Sequence, residues 1–401
     1  MSSEDAELTV LLPLKDRADY TLRWMSYAES TRFPFKVLIA DGGSEEAVAA
    51  GLSERRNYPN VDFEYRRYRP DDSYADYFNK LADASARIRT PYAVMIDNDD
   101  FLVADALRES VRFLNVHRDH VACGGQFAQF WVASGDVDGG ALYGSRVEWK
   151  AHRGDQSNNG ETARARLRNL YLGDSETCYY LVKRTGLLQA QYRELCELGI
   201  QDLFLMEILI YFLTTIAGPT QRLNSLQVAR QQNSPGSSAG GHEAEAGDTF
   251  DRMLLPGWSA DFGKFLEATS KALAARDAIP AAEARRDIVE AYRAYGAIPL
   301  YDALLREPTI TARTALFYPA VRGFMRWLTR LPAAHALRVS LRRLFRLARW
   351  MPYEAAQGGR VFVTQVPDAV QAFSPIERFL ESGGDRCAGS EQARGDLRPP
   401  A

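Results

Sequence analysis

Short apolar runs alternate with amphipathic stretches through the first half of the chain, and each run ends at a polar cluster. Leu8 to Leu12 is a β-rich run that stops at Pro13. Asp19 to Ser30 has helical spacing, with Leu22, Met25 and Tyr27 on one face. Lys36 to Ala40 is a second apolar run, closed by Asp41-Gly42-Gly43-Ser44, and Asp62 to Tyr65 is a weaker third. Tyr74 to Arg89 reads as a helix, with Tyr77, Leu81, Ala84 and Ile88 at intervals of three and four. Tyr92 to Ile96 is then almost wholly apolar and runs into Asp97-Asn98-Asp99-Asp100. Strands alternating with helices predict a parallel sheet buried on both faces.

The same rhythm continues. Asp105 to Asn115 is predicted helical and Val121 to Val132 a long strand. Ser134 to Asn169 is polar and Gly-rich and is expected to be a loop. Thr177 to Val182 is expected as a strand, Thr185 to Leu198 as a helix, and Leu226 to Arg230 as a last short strand. Asp202 opens the apolar run Leu203 to Ala217, which is short for a membrane span and contains Glu207, so it reads as a buried helix. Asn233 to Gly247 is rich in Ser, Gly and Pro and is expected to be mobile.

After about Thr249 the pattern turns helical, at Phe265 to Arg276, Ala281 to Tyr295 and Tyr301 to Leu305, with a short strand predicted at Arg360 to Thr364. The expected division is 1–248 as an α/β domain, 249–381 as a mainly helical region, and 382–401 as a disordered tail.

Composition changes this picture only locally. The 401 residues carry a net charge of -3, which gives no global pull toward nucleic acid or membrane. The four cysteines form no CxxC pair and read as reduced thiols. The opening Met-Ser-Ser-Glu-Asp lacks the blocks of a signal peptide, so a cytoplasmic chain is expected. Between Pro308 and Tyr353 there is no Asp or Glu, but nine arginines are interleaved with Trp327, Phe345 and Trp350. Such a basic amphipathic stretch (309–353) suits the anionic inner face of a membrane, or equally a helical cap paired with the acidic half. No motif supports nucleic-acid binding.

Three polar clusters sit at predicted strand ends, where open α/β sheets bind ligands: Lys15-Asp16-Arg17, Asp41 to Ser44 and Asp97 to Asp100. Carboxylates at a strand end can hold a hard cation such as Mg²⁺ or Mn²⁺, although D-N-D-D is also good turn composition. Neither a Walker A loop nor a G-x-G-x-x-G is present, so ATPase and NAD readings lose support.

Leu11-Leu12-Pro13-Leu14-Lys15-Asp16-Arg17, Ile39-Ala40-Asp41-Gly42-Gly43-Ser44 and Met95-Ile96-Asp97-Asn98-Asp99-Asp100 together resemble, in order and spacing, the family 2 glycosyltransferases. That resemblance covers about residues 8–235. It implies a GT-A (Rossmann-like) α/β fold, with a mixed, mostly parallel sheet flanked by helices and here a C-terminal helical extension. It further implies metal-dependent transfer of a sugar from a nucleotide-diphosphate donor to a hydroxyl of a glycan or lipid-linked acceptor. Donor contacts then fall to Pro13, Lys15, Arg17, Asp41, Asp97, Asn98 and Arg230, and the metal to Asp99 and Asp100. Gly199-Ile200-Gln201-Asp202 is similar to the family's E-D pair, which makes Asp202 the base of an inverting transfer. An N-cap role suits Asp202 equally well. Gln201 replaces the family's Glu, and Gln232 or Asn233 stands where its closing His is usual. The competing readings are a nucleotidyltransferase, although Pro13 to Arg17 has no Gly-rich loop, and a non-catalytic nucleotide-sugar-binding protein.

Overall fold

The computed structural model describes most of residues 2–306 and 366–394, apart from 134–141, 153–156, 171–177, 235–251 and a few single positions. The basic stretch 309–353, the strand predicted at 360–364 and nearly all of the stretch 233–247 expected to be mobile lie outside the described residues.

The sheet is built from β1 (Leu8–Leu14), β2 (Lys36–Asp41), β3 (Phe63–Arg67), β4 (Tyr92–Met95), β5 (Phe101–Leu102), β6 (Ala122–Ala133), β7 (Arg146–His152), β8 (Val182–Arg184) and β9 (Thr220–Gln231). Their spatial order is β3-β2-β1-β4-β8-β6-β9-β5, with β7 pairing to β6. The run from β3 to β4 is wholly parallel, and β6 pairs β9 in parallel as well. The remaining pairings are antiparallel, so this is the mixed, mostly parallel α/β sheet that was expected.

Every residue of β1 is buried, because helices cover both faces. Leu8, Val10, Leu12 and Leu14 point into one core with Trp24 and Met25 of α1 (Ala18–Ser30). Leu107 and Val111 of α4 (Ala104–Val116) complete it, while α2 (Glu46–Ser53) adds Val48 and Leu52. The opposite face is covered by α3 (Tyr74–Ala86) and α6 (Thr185–Leu198), whose Tyr192 hydroxyl meets Met95 Sδ at 2.8 Å. Capping sets the helix starts. Ser73 Oγ accepts from the Asp76 amide at 3.2 Å, and Asp202 does the same for Leu205 in α7 (Leu203–Ala217) at 2.8 Å. Gly199 ends α6 in the left-handed region, where a residue without Cβ is favoured.

Several elements differ from the sequence reading. The expected loop 134–169 contains β7 and α5 (Ala163–Asn169). Arg-Val-Glu-Trp-Lys-Ala alternates at period two, and Val147, Trp149 and Ala151 are all buried, but the intervening charges disguised it. The strand expected at Thr177 begins only at Val182, after a turn at Tyr179 and Tyr180. The last strand runs twelve residues rather than five, because its first half is polar and half-exposed.

Beyond the sheet lie α8 (Trp258–Asp277), α9 (Ala281–Arg306) and α10 (Ala369–Arg394). The two helices expected between Ala281 and Leu305 are one. The helix α10 continues past Ser382, where composition gives no apolar pattern. Its Phe373, Ile376 and Leu380 form a second core with Phe130, Val147 and Trp149. Phe373 stacks on Trp149 with ring centroids 4.5 Å apart. The chain clusters into one unit of residues 1–291 with 362–401 and another of 292–361.

Candidate active site

Parallel pairing places the carboxyl ends of β2, β1 and β4 side by side, with Leu14 in register with Asp41 and Leu11 with Met95. The three polar clusters therefore emerge along one edge, beyond the carboxyl ends of the strands, where open α/β sheets bind ligands.

The first two loops are sewn together. Asp16 and Arg17 both take positive φ, of 56° and 59°. That geometry lets Asp16 Oδ1 accept from the Ser44 amide at 2.6 Å and the Ser44 hydroxyl at 2.9 Å. Glu45 in turn accepts from the amides of Arg17 and Ala18 at the start of α1. A carboxylate there satisfies donors that the helix leaves open. Beneath this loop Lys80 donates to the Leu14 carbonyl at 2.7 Å and pairs with Asp71, both side chains being buried. Burial pushes the Asp71 carboxyl up and the Lys80 amine down, while each holds the other's charge in place. A Cβ at Gly42 would come within 2.3 Å of the Asp71 carboxylate, so the backbone packs here as only glycine permits.

Asp41 is buried, with both oxygens engaged. The Gly43 amide donates to Oδ1 at 2.8 Å and the Tyr65 hydroxyl to Oδ2 at 2.6 Å. Pro13 lies inside β1 and Lys15 is exposed just beyond it.

The Asp97 to Asp100 turn follows β4 directly. Carboxylate oxygens of Asp97, Asp99 and Asp100 lie within 4.8 Å of one another. Tyr180 donates to Asp97 Oδ2 at 2.5 Å. Asp99 Oδ2 receives Arg17 at 3.2 Å and the Ser234 hydroxyl at 2.5 Å. Asp100 Oδ1 receives the Gln231 amide at 2.9 Å, and its Oδ2 faces Arg230 Nε at 3.4 Å. Asn98 is buried and donates to Thr21 at 3.0 Å. Asp100 thus has both oxygens committed. Asp97 and Asp99 each keep one oxygen to which no described residue donates a hydrogen bond.

The electrostatics agree with a site short of positive charge. Burial first, and the Asp99 carboxylate second, push the Asp97 carboxyl up and the Asp100 carboxyl well up. Arg230 opposes this, and its own affinity for a proton is raised by Tyr180, Asp100 and Asp97. A divalent ion between Asp97 and Asp99 would supply what the two arginines do not, and oxygen-only donors suit a hard cation. The described residues therefore fit a Mg²⁺ or Mn²⁺ ion.

Asp202 lies at the start of α7. Its Oδ1 caps the Leu205 amide, and its Oδ2 pairs with Arg252 at 3.0 Å, both side chains being buried.

The structure brings Arg17, Asp97, Asn98, Asp99, Asp100 and Arg230 into one cluster, with Asp41 two strands away on β2. Sequence reasoning missed several members. Arg23 is buried and donates to the Asp99 carbonyl at 3.0 Å, the Leu142 carbonyl at 2.9 Å and Gln231 at 2.8 Å. Burial pushes its guanidinium down to about 10, so it still carries its charge at neutral pH. The signal was present: Arg23 falls beside Trp24 on the inward face of an amphipathic helix. Tyr180 and Ser234 carried no comparable mark.

Among solved structures, this chain resembles S. aureus TarS residues 1–349 in complex with UDP-GlcNAc, at 12% identity over 80% of this chain and 79% of that one (TM-score 0.45). It also resembles the mannosyltransferase PcManGT from Pyrobaculum calidifontis in complex with GDP-Man and Mn²⁺, at 12% identity over 85% of this chain and 86% of that one (TM-score 0.36). No family model matches the chain, and no curated protein matches its sequence. These likenesses assign no residue a role.

Proposed function

We propose that the protein is a metal-dependent glycosyltransferase that moves a sugar from a nucleotide diphosphate to a hydroxyl of a glycan or lipid-linked acceptor, with inversion. One observation supports the reading: carboxylate oxygens of Asp97, Asp99 and Asp100, just after β4, lie within 4.8 Å of one another, and Arg17 and Arg230 pair with two of these residues. A diphosphate leaving group needs its charge neutralised there, and a bound Mg²⁺ or Mn²⁺ on Asp99 and Asp97 would do so.

The chain's own residues do the rest. Arg17 and Arg230 exchange carboxylate partners for phosphate oxygens, to which guanidinium is well matched. Asp100 keeps the end of β9 and Arg230 in place through the Gln231 amide. Asp41 fixes Gly43 and Tyr65, and so shapes the place where the nucleoside would lie. Lys15 adds positive charge at the mouth. The resemblance puts the base at Asp202, on the acceptor side.

Incubation with UDP-, GDP- and dTDP-sugars tests the reading by product. A glycosyltransferase releases nucleoside diphosphate. Release of sugar phosphate together with nucleoside triphosphate when pyrophosphate is added would instead indicate a nucleotidyltransferase, and donor binding without turnover a binding protein. No helix among the described residues is long and apolar enough to cross a membrane. Contact with a lipid-linked acceptor would rest on the arginine-rich stretch 309–353.

A further inference from the structure

We propose that His117, Asp119 and His120 hold a transition-metal ion of the Zn²⁺ class at the edge of the sheet opposite Asp97; this is independent of the glycosyl-transfer reading. Tyr92, the first residue of β4, pairs with Arg184, and Ala122, the first of β6, pairs with Lys183. The segment from α4 into β6 therefore lies at the amino end of β4, whereas the acidic turn lies at its carboxyl end. One ligand atom from each of the three residues lies within 4.8 Å of the others.

Local structure explains why they converge. His117 closes α4, and the His120 amide donates to the His117 carbonyl at 3.2 Å, which makes residues 117–120 a single turn. That turn is fixed from β8. The Arg184 guanidinium donates to the carbonyls of His120 at 2.9 Å, Leu114 at 3.1 Å, His117 at 3.2 Å and Arg118 at 3.3 Å. The His117 ring stacks on Phe113, one helical turn earlier, with centroids 4.1 Å apart. The His120 ring meets the same Phe113 edge-on at 4.9 Å. Both imidazoles are thus oriented by the fold, and they stand at a helix C-terminus, which favours positive charge.

The surroundings of His120 point to a cation. This ring is buried, with Nδ1 at 3.1 Å from Asp119 Oδ1 and Nε2 at 3.2 Å from Asn159 Oδ1. A neutral imidazole has one N–H, so it can donate to only one of these two oxygens. With Nε2–H on Asn159, Nδ1 turns a lone pair toward a carboxylate. A metal ion bound to both removes that repulsion, and two tetrahedral ligands about 2.0–2.1 Å from zinc stand at a similar separation. Metal-bound histidines characteristically give their other N–H to an oxygen acceptor, the place Asn159 fills here. Two imidazoles and a carboxylate select a borderline cation over Mg²⁺, unlike the oxygen-only donors of Asp97 and Asp99, and leave a fourth position for water. The ion ties the end of α4 to the start of β6.

Calorimetric titration of Zn²⁺ into the full chain in excess Mg²⁺ tests this, with wild type, His117→Gln, Asp119→Asn and Asn159→Ala. All three substituted residues are exposed, so the metal-free variants should melt as wild type does. Wild type is expected to take up Zn²⁺ and to melt at a higher temperature with it. Each variant should bind Zn²⁺ more weakly by roughly tenfold or more. The ring ¹⁵N signals of His117 and His120 in wild type should shift on adding Zn²⁺ and stay in place on adding Mg²⁺. Zn²⁺ binding as strong in His117→Gln or Asp119→Asn as in wild type overturns the proposal, as do His117 and His120 signals that Zn²⁺ leaves unmoved.

Discussion

Replacing Glu207 by Gln should stabilise the protein at high pH and leave it unchanged at low pH. A carboxylate with no hydrogen-bond partner among the described residues is costly to ionise on an apolar helix, and burial first, with the Asp97 charge second, holds it up to about 7 against an ordinary 4.5. Between those values the native state binds more protons than the unfolded chain, so this residue's contribution falls as pH rises through the window. Below 4.5 both states are protonated and the cost vanishes; above 7 it is fully present. That interval corresponds to roughly 3 kcal/mol, which partial solvent contact reduces to about 1–3 kcal/mol. Gln has nearly the same shape and cannot ionise. Urea denaturation at pH 8 should therefore show Glu207→Gln more stable by about 1–3 kcal/mol, and at pH 4 no difference. Equal stability at pH 8, or a gain that persists at pH 4, would refute the reasoning.

Lys80→Met should destabilise the protein by roughly 3–5 kcal/mol in urea, because it strands the buried Asp71 charge beneath the β1 end; a loss under about 1 kcal/mol would contradict that burial. Gly42→Ala should cost roughly 1–3 kcal/mol and weaken donor binding, since its methyl meets the Asp71 carboxylate. Thermal shift with and without a nucleotide sugar measures both effects, and unchanged values would mean the loop has room to spare. The full chain should co-sediment with anionic vesicles, and replacing Arg342, Arg343, Arg346 and Arg349 by Gln should release it. Undiminished binding by that variant would remove the membrane role.

Legibility followed burial. The apolar runs Leu8 to Leu12 and Tyr92 to Ile96 are buried on both faces, so composition alone marked them, and the polar residues after each had to emerge at one edge. Arg17, Asp97, Asn98, Asp99 and Asp100 stood out for that reason, while Arg230 was named only through the family resemblance. The strand Arg146–His152 was hidden because only one of its faces is buried, and its outward charges resemble a loop. Partners that arrive from distant segments left no local pattern: Tyr180 reaches Asp97, and Ser234 reaches Asp99, through tertiary packing alone. Asp202 was legible as a cap and as a carboxylate, but Arg252, fifty residues away, was not. Glu207 stood in plain view as the one charge in an apolar run, and served only to argue against a membrane span.

The most direct test of the site is donor binding as a function of metal and of Asp99. Calorimetric titration of a nucleotide sugar into the full chain should show binding that needs Mn²⁺ or Mg²⁺ in wild type. Asp99→Ala should lose that metal-dependent part while remaining folded by circular dichroism. Donor binding of equal strength with and without the metal, or unchanged in Asp99→Ala, would contradict a diphosphate site at the end of β4.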